Sequence, residues 1–105
     1  MMKRIALVRR KPGMTADEFW AHYMGPHAAI VRKMPGLRGM VLARATEIQN
    51  AGWDAVGELW FDDLAALERA FADPEIAGLL QADRPRFLGA STVLIVEELV
   101  RWPAL

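Results

Sequence analysis

The chain contains no cysteine in 105 residues. Disulfides, thiolate metal sites and cysteine nucleophiles are thereby excluded. Histidine occurs twice and tyrosine once, so few side chains can move a proton near neutral pH. Charge of either sign is not in excess, with 13 Lys and Arg against 13 Asp and Glu. Nucleic-acid binding calls for a basic surplus, so no nucleic acid is expected as a partner. Long apolar runs are also missing. A membrane span needs about 20 such residues, and the opening MMKRIALVRRKPG is too broken by charge for a signal peptide. No membrane association is expected, and the cytoplasm is the simplest location. No Gly-rich phosphate loop, nucleophile elbow or metal motif is present, so no cofactor and no metal are expected.

What the chain does have is apolar surface. Hydrophobic residues make up 53%, which is high for a soluble domain. The length fits one domain, residues 1–105, able to bury roughly 60–70% of its unfolded surface. A subunit interface is the simplest destination for the surplus.

The segment 15–39 organises the rest. Thr15 and Glu18 form the T-x-x-E pattern of a capping box. Phe19, Tyr23, His27, Ile30, Val31 and Met34 then recur at helical spacing, which puts a titratable group in an apolar stripe. Pro26 cannot donate a backbone hydrogen bond and crowds the carbonyl of His22, so a kink is expected just before His27. Pro35-Gly36 ends the helix. Strands are expected at 3–10, 37–46, 53–61 and 91–101. Two more helical stretches are expected after Asp63 and Asp73, each aspartate serving as an N-cap.

The order strand, helix, strand, strand, helix, strand is that of an α+β, ferredoxin-like βαββαβ plait with a four-stranded antiparallel sheet. The strands carry apolar residues on both faces: Ile5 and Leu7 against Ala6 and Val8, Met40 and Leu42 against Val41 and Ala43, Thr92, Leu94 and Val96 against Val93, Ile95 and Leu99. An antiparallel sheet with one wet face should alternate instead. Two helices can cover one face. A second copy of the chain is expected to cover the other, giving a homodimer through the sheet.

His27 is the leading candidate for chemistry. It follows Tyr23 by four residues and shares its helical face. An imidazole in an apolar pocket can act as general base or acid. The competing account is a half-buried histidine that donates to a carbonyl freed by Pro26. His22 lies five positions before His27, off its face on a straight helix, and is expected at the surface. Glu58 sits between Val56 and Trp60 in an apolar row, as a candidate proton carrier or as the partner of Arg4, Arg9 or Arg44. Trp20, Tyr23, Trp60 and Phe87 could line a pocket for a small apolar or aromatic ligand, or could be ordinary core. A buried tyrosine hydroxyl needs a partner, which for Tyr23 could be a ligand carbonyl.

The stretch KRIALVRRKPGMTADEFWAHYMGPHAAIVRKMPGLRGMV resembles EthD-like proteins. The shared pattern is a first strand, the KPG turn and helix start, an aromatic residue followed by a histidine and small residues, and PG before the second strand. DAVGELWF and VEELV are similar to the corresponding parts of the related 4-methylmuconolactone methylisomerases. The resemblance implies the dimeric α+β barrel superfamily, in which two ferredoxin-like protomers pack their sheets together. It also implies a small pocket between sheet and helices, with a histidine at position 27. Activities implied are cofactor-free isomerisation, cyclisation or oxygenation of small cyclic or aromatic oxygenated compounds, as in catabolic or secondary metabolism. The alternative is a non-catalytic ligand-binding or accessory module of a degradation pathway.

Overall fold

A computed structural model describes residues 1–103. Strand β1 (Met2–Arg10) leads through a turn to helix α1 (Ala16–His22). A π-helical turn, Tyr23–His27, and a short helix α2 (Ala28–Val31) continue it. Strands β2 (Gly39–Arg44) and β3 (Ala55–Phe61) follow, then helices α3 (Leu64–Ala72) and α4 (Pro74–Asp83). A 3₁₀ turn, Arg84–Arg86, leads into β4 (Leu88–Glu97). The sheet order is β2-β3-β1-β4 and every pairing is antiparallel. This is the ferredoxin-like plait anticipated from the element order.

The helix starts are set as the sequence indicates. The Thr15 side chain accepts from Glu18 N–H at 3.1 Å, and the Glu18 carboxylate accepts from Thr15 N–H at 2.9 Å. Asp63 and Asp73 cap α3 and α4 by accepting from Ala66 and Ile76 N–H at 2.7 and 3.1 Å. Each such cap is worth about 1 kcal/mol.

Strand ends differ from the expectation. β4 begins at Leu88, three residues earlier than expected, and ends at Glu97, so Leu99 lies beyond the sheet. β2 covers only Gly39–Arg44, and residues 45–54 form a turn-rich connection in which Gln49, Ala51 and Gly52 have positive φ. The apolar stretch 102–105 is described only as far as Pro103. Its last two residues lie outside the described residues, and Trp102 is exposed.

The helices pack on one face of the sheet. Register places Ala6 and Val8 of β1, Leu42 of β2, and Gly57 and Leu59 of β3 on that side. Two clusters fill the space beneath the helices. Phe61, Leu67, Ile76 and Leu80 anchor one, and Phe19, Trp20, Tyr23 and Phe87 anchor the other. The opposite face carries Ile5, Leu7, Val41, Val56, Leu94 and Val96. Val41 is 47% exposed there and Leu94 58%. Helix cover also stops short of β4, whose helix-side Val93 and Ile95 are 40% and 50% exposed. Among the described residues, no helix is long and apolar enough to cross a membrane.

Candidate functional site

The helix does not break at Pro26; it widens. Ala28 N–H reaches back to the carbonyl of Tyr23, five residues earlier, where an α-helix would reach four. A π-turn of this kind accommodates one extra residue and one missing donor. Its consequence corrects the expectation for the two histidines. On a straight helix His22 and His27 diverge, but the wider turn brings them to one face. His22 is accordingly not a surface residue, because its side chain is only 16% exposed and His27 is similar at 15%.

The residue that joins them is Asp83, at the end of α4 and 2% exposed. Its Oδ1 lies 2.6 Å from His22 Nε2, and its Oδ2 lies 3.1 Å from His27 Nδ1. An ionised carboxylate accepts and cannot donate, so each imidazole presents an N–H to it. This fixes the tautomer of His27. Nδ1 carries the proton, and Nε2 keeps a lone pair that no described residue binds. The partner of His27 is thus Asp83, and not the carbonyl loosened by Pro26. Among the described residues no group of three His, Asp or Glu side chains is arranged to hold a metal ion. The two histidine nitrogens aim at separate carboxylate oxygens and share no common point.

His27 stacks on Tyr23 with ring centres 5.1 Å apart and planes 8° from parallel. Phe87 closes the other side, 4.8 Å from His27 and 5.2 Å from His22. Burial among these rings pushes the His27 pKa below its ordinary value of 6.5. Asp83 opposes that shift, and the nearby charges of His22 and Arg84 add to it. The imidazole is therefore neutral at neutral pH, the form that a general base requires.

Tyr23 is 3% exposed, and no described residue hydrogen-bonds its hydroxyl. No fully buried side-chain polar atom among the described residues lacks a partner, so the hydroxyl keeps its opening onto the cavity. The ring lies against the sheet at Gly57, where an added Cβ would sit 2.6 Å from the hydroxyl oxygen. Glycine at this point of β3 leaves room for the hydroxyl end of the tyrosine. Burial raises the Tyr23 pKa to about 12, so the phenol stays protonated and can donate.

These groups face a small cavity between sheet and helices, with about 80 Å³ of space for the centre of a water molecule. Arg4, Tyr23, His27, Gly57, Arg84 and Phe87 are among its lining.

Of the candidates named from sequence, His27, Tyr23 and Phe87 come together here. Trp20 stands behind this wall, edge-on to Tyr23 at 5.7 Å, with the Arg44 guanidinium 5.2 Å from its ring. Glu58 and Trp60 lie on the opposite face of the sheet, in register with Ile5 and Lys3 of β1. Glu58 meets Lys3 at 3.8 Å and none of the three arginines considered for it. Trp60 donates to Glu98 at 3.0 Å. The glutamate that could have shared the pocket with His27 therefore does not.

No motif marks Asp83 in the sequence. An aspartate beside Arg84 and two residues before Pro85, at the end of a helix, reads as solvated. The available signal was its position: Leu80 is three residues earlier on the buried stripe of α4, so Asp83 falls on the same inward face.

No curated protein matches the chain significantly. Solved structures do. An EthD family protein from Bacillus halodurans is 28% identical, covers 94% of this chain and 100% of its own, and superposes with a TM-score of 0.75. HapK from Hahella chejuensis is 25% identical over 100% and 99% of the two chains, with a TM-score of 0.77. SnoaB from Streptomyces nogalater, a cofactor-independent oxygenase, is 19% identical over 98% and 97%, with a TM-score of 0.72. At that identity the likeness is one of fold alone. The model of the EthD domain matches residues 11–91. That span includes the capped helix, both histidines, the π-turn and Asp83, and by it the chain belongs to the EthD domain family.

Proposed function

We propose that the protein is a small cofactor-free enzyme that moves a proton on a compact cyclic or aromatic oxygenated compound. The observation that carries this is the Asp83 contact, which leaves Nε2 of the cavity-lining His27 as a free base, beside an unpartnered Tyr23 hydroxyl. The ring of a substrate would lie against Phe87. Tyr23 would donate to a carbonyl on which negative charge develops, and His27 would take the proton from the neighbouring carbon or hydroxyl. The arrangement suits isomerisation, cyclisation or the deprotonation that opens an oxygenation. SnoaB, described as a cofactor-independent oxygenase, makes the last of these worth assaying first. The methylisomerase reaction has less support, because β3 and the preceding loop hold no histidine or cysteine. Glu58, which faces away, is assigned no part.

The working unit is proposed to be a homodimer joined through the open sheet face, as a dimeric α+β barrel. Exposed Val41 and Leu94 on that face motivate this. So do related folds of the same plait from Bacteroides fragilis and Thermobifida fusca that are described as dimeric. Sedimentation at micromolar concentration tests it, and a monomer there counts against it.

The test of the reaction class is turnover of a panel of cyclic enones, lactones and hydroxyquinones by wild type and His27→Ala. Loss of activity in the variant is expected. A variant that keeps the full rate removes His27 from the mechanism. Ligand binding without any turnover in wild type would favour the non-catalytic accessory module.

A further inference from the structure

Arg4 stands near the start of β1, an interior strand, on the helix side of the sheet. Its guanidinium lies 4.7 Å from the ring centre of Phe71 and lines the same cavity as His27 and Tyr23. Arg84 lines that cavity as well and is exposed to solvent. Among the described residues neither has a carboxylate partner. Three other arginines do: Arg10 pairs with Asp54, Arg38 with Asp62 and Arg101 with Glu98. The buried acid of this region, Asp83, has both oxygens committed to histidines.

A ring face satisfies part of a guanidinium's charge but leaves its five N–H donors unused. Burial lowers the pKa of Arg4, and the like charge of Arg84 lowers it further. Both effects penalise the cation, and both would be relieved by an anion in the cavity. The cavity wall otherwise consists mainly of apolar and aromatic side chains. Two cations together with aromatic rings match a flat molecule with an acid group.

We propose that the pocket selects a ring compound carrying a carboxylate, held by Arg4 with Arg84 at the mouth, while the ring lies against Phe87 and the Tyr23–His27 pair. This rests on the pocket assignment made above and adds the charge of the ligand. A carboxylate accepts from the guanidinium fork in two parallel bonds, which a neutral amide cannot reproduce.

The experiment is an NMR titration of histidine-labelled protein with benzoate and with its neutral analogue benzamide, reading the His27 resonances. Benzoate is expected to bind about 10-fold or more tighter. Arg4→Met should abolish that preference, Arg4→Lys should keep part of it, and Arg84→Gln should weaken it several-fold. Equal binding of the two probes to wild type overturns the carboxylate assignment while the pocket stands. The same holds if the preference survives intact in Arg4→Met. If neither probe binds and His27 does not respond, the pocket assignment itself falls and the carboxylate with it. The wild-type comparison decides the charge preference even if Arg4→Met fails to fold.

Discussion

The two faces of the sheet handle charge in opposite ways. On the open face, Lys3 lies 3.8 Å from both Glu58 and Glu98, and Arg101 meets Glu98 at 2.6 Å. The Lys3 ammonium also sits 5.1 Å from the Trp60 ring centre, so every charge in that cluster has a partner. On the helix face the single buried acid is spent on two imidazoles, and the two arginines that line the cavity have no acid partner among the described residues. A chain with net charge zero is thus locally unbalanced where the cavity lies. Paired charges on a flat, largely apolar face suit an interface that must fit one copy of itself. Unpaired ones around a cavity suit a small ligand.

The largest expected effect separates the faces by activity. His27→Ala should lower kcat/KM on any substrate found by about 10²–10⁴-fold. Glu58→Gln, on the other face, should leave the rate nearly unchanged, and steady-state kinetics on both variants checks this. A comparable loss from Glu58→Gln would collapse the distinction between the faces.

Next comes Leu94→Glu, which places a charge on the open face at the edge strand, opposite Ile5. The dimer should dissociate in sedimentation while the His27 resonances stay in place. Movement of both would mean that the faces are coupled.

Asp83→Asn keeps the shape but turns an NH₂ toward one of the imidazoles. The fixed tautomer of His27 is then lost in part, and the rate should fall by roughly 10-fold or more without a matching rise in KM. A fall confined to KM would recast Asp83 as merely supporting the binding wall.

Gly57→Ala should displace the Tyr23 ring, which is held between Phe19 at 5.2 Å and His27 at 5.1 Å. Overpacking of this kind costs about 1–3 kcal/mol, measurable by urea unfolding.

The smallest effect is on pH. Because burial holds the His27 pKa below 6.5, the unfolded chain takes up a proton there before the folded one does. The stability contributed by neutral His27 is complete above about pH 6.5 and is lost as pH falls through that value toward the folded pKa. Thermal midpoints compared at pH 7.5 and 5.5 should show a shallower decline in His27→Gln than in wild type.

Much of the fold was legible because local signals agree. The T-x-x-E box and the two Asp caps each mark a helix start, and the strands follow their apolar runs. Apolar residues on both faces of β1 and β2 indicated the need for a second cover. The same two-faced pattern hid which side Glu58 and Trp60 occupy, since neither face was marked as wet. Register with Lys3 and Ile5 decides that, and register is a tertiary fact. His27 and Tyr23 were found because four residues separate them. His22 was misplaced because its spacing was judged on α-helical geometry. Asp83 was missed because its partners lie 56 and 61 residues away in sequence.

The π-turn gives the clamp on Asp83 a tolerance for length that a regular helix lacks. Losing Gly25, whose surroundings are open, would leave the histidines four apart, and four apart is again one face. The clamp could therefore survive a one-residue deletion. It is less tolerant of a repair. Replacing Pro26 by alanine restores the missing donor without removing a residue, and a helix that returned to regular pitch at full length would turn His22 about 100° away from Asp83. H-x-x-x-P-H and H-x-x-x-H are thus two spellings of one grip, and the proline is what makes the longer one work.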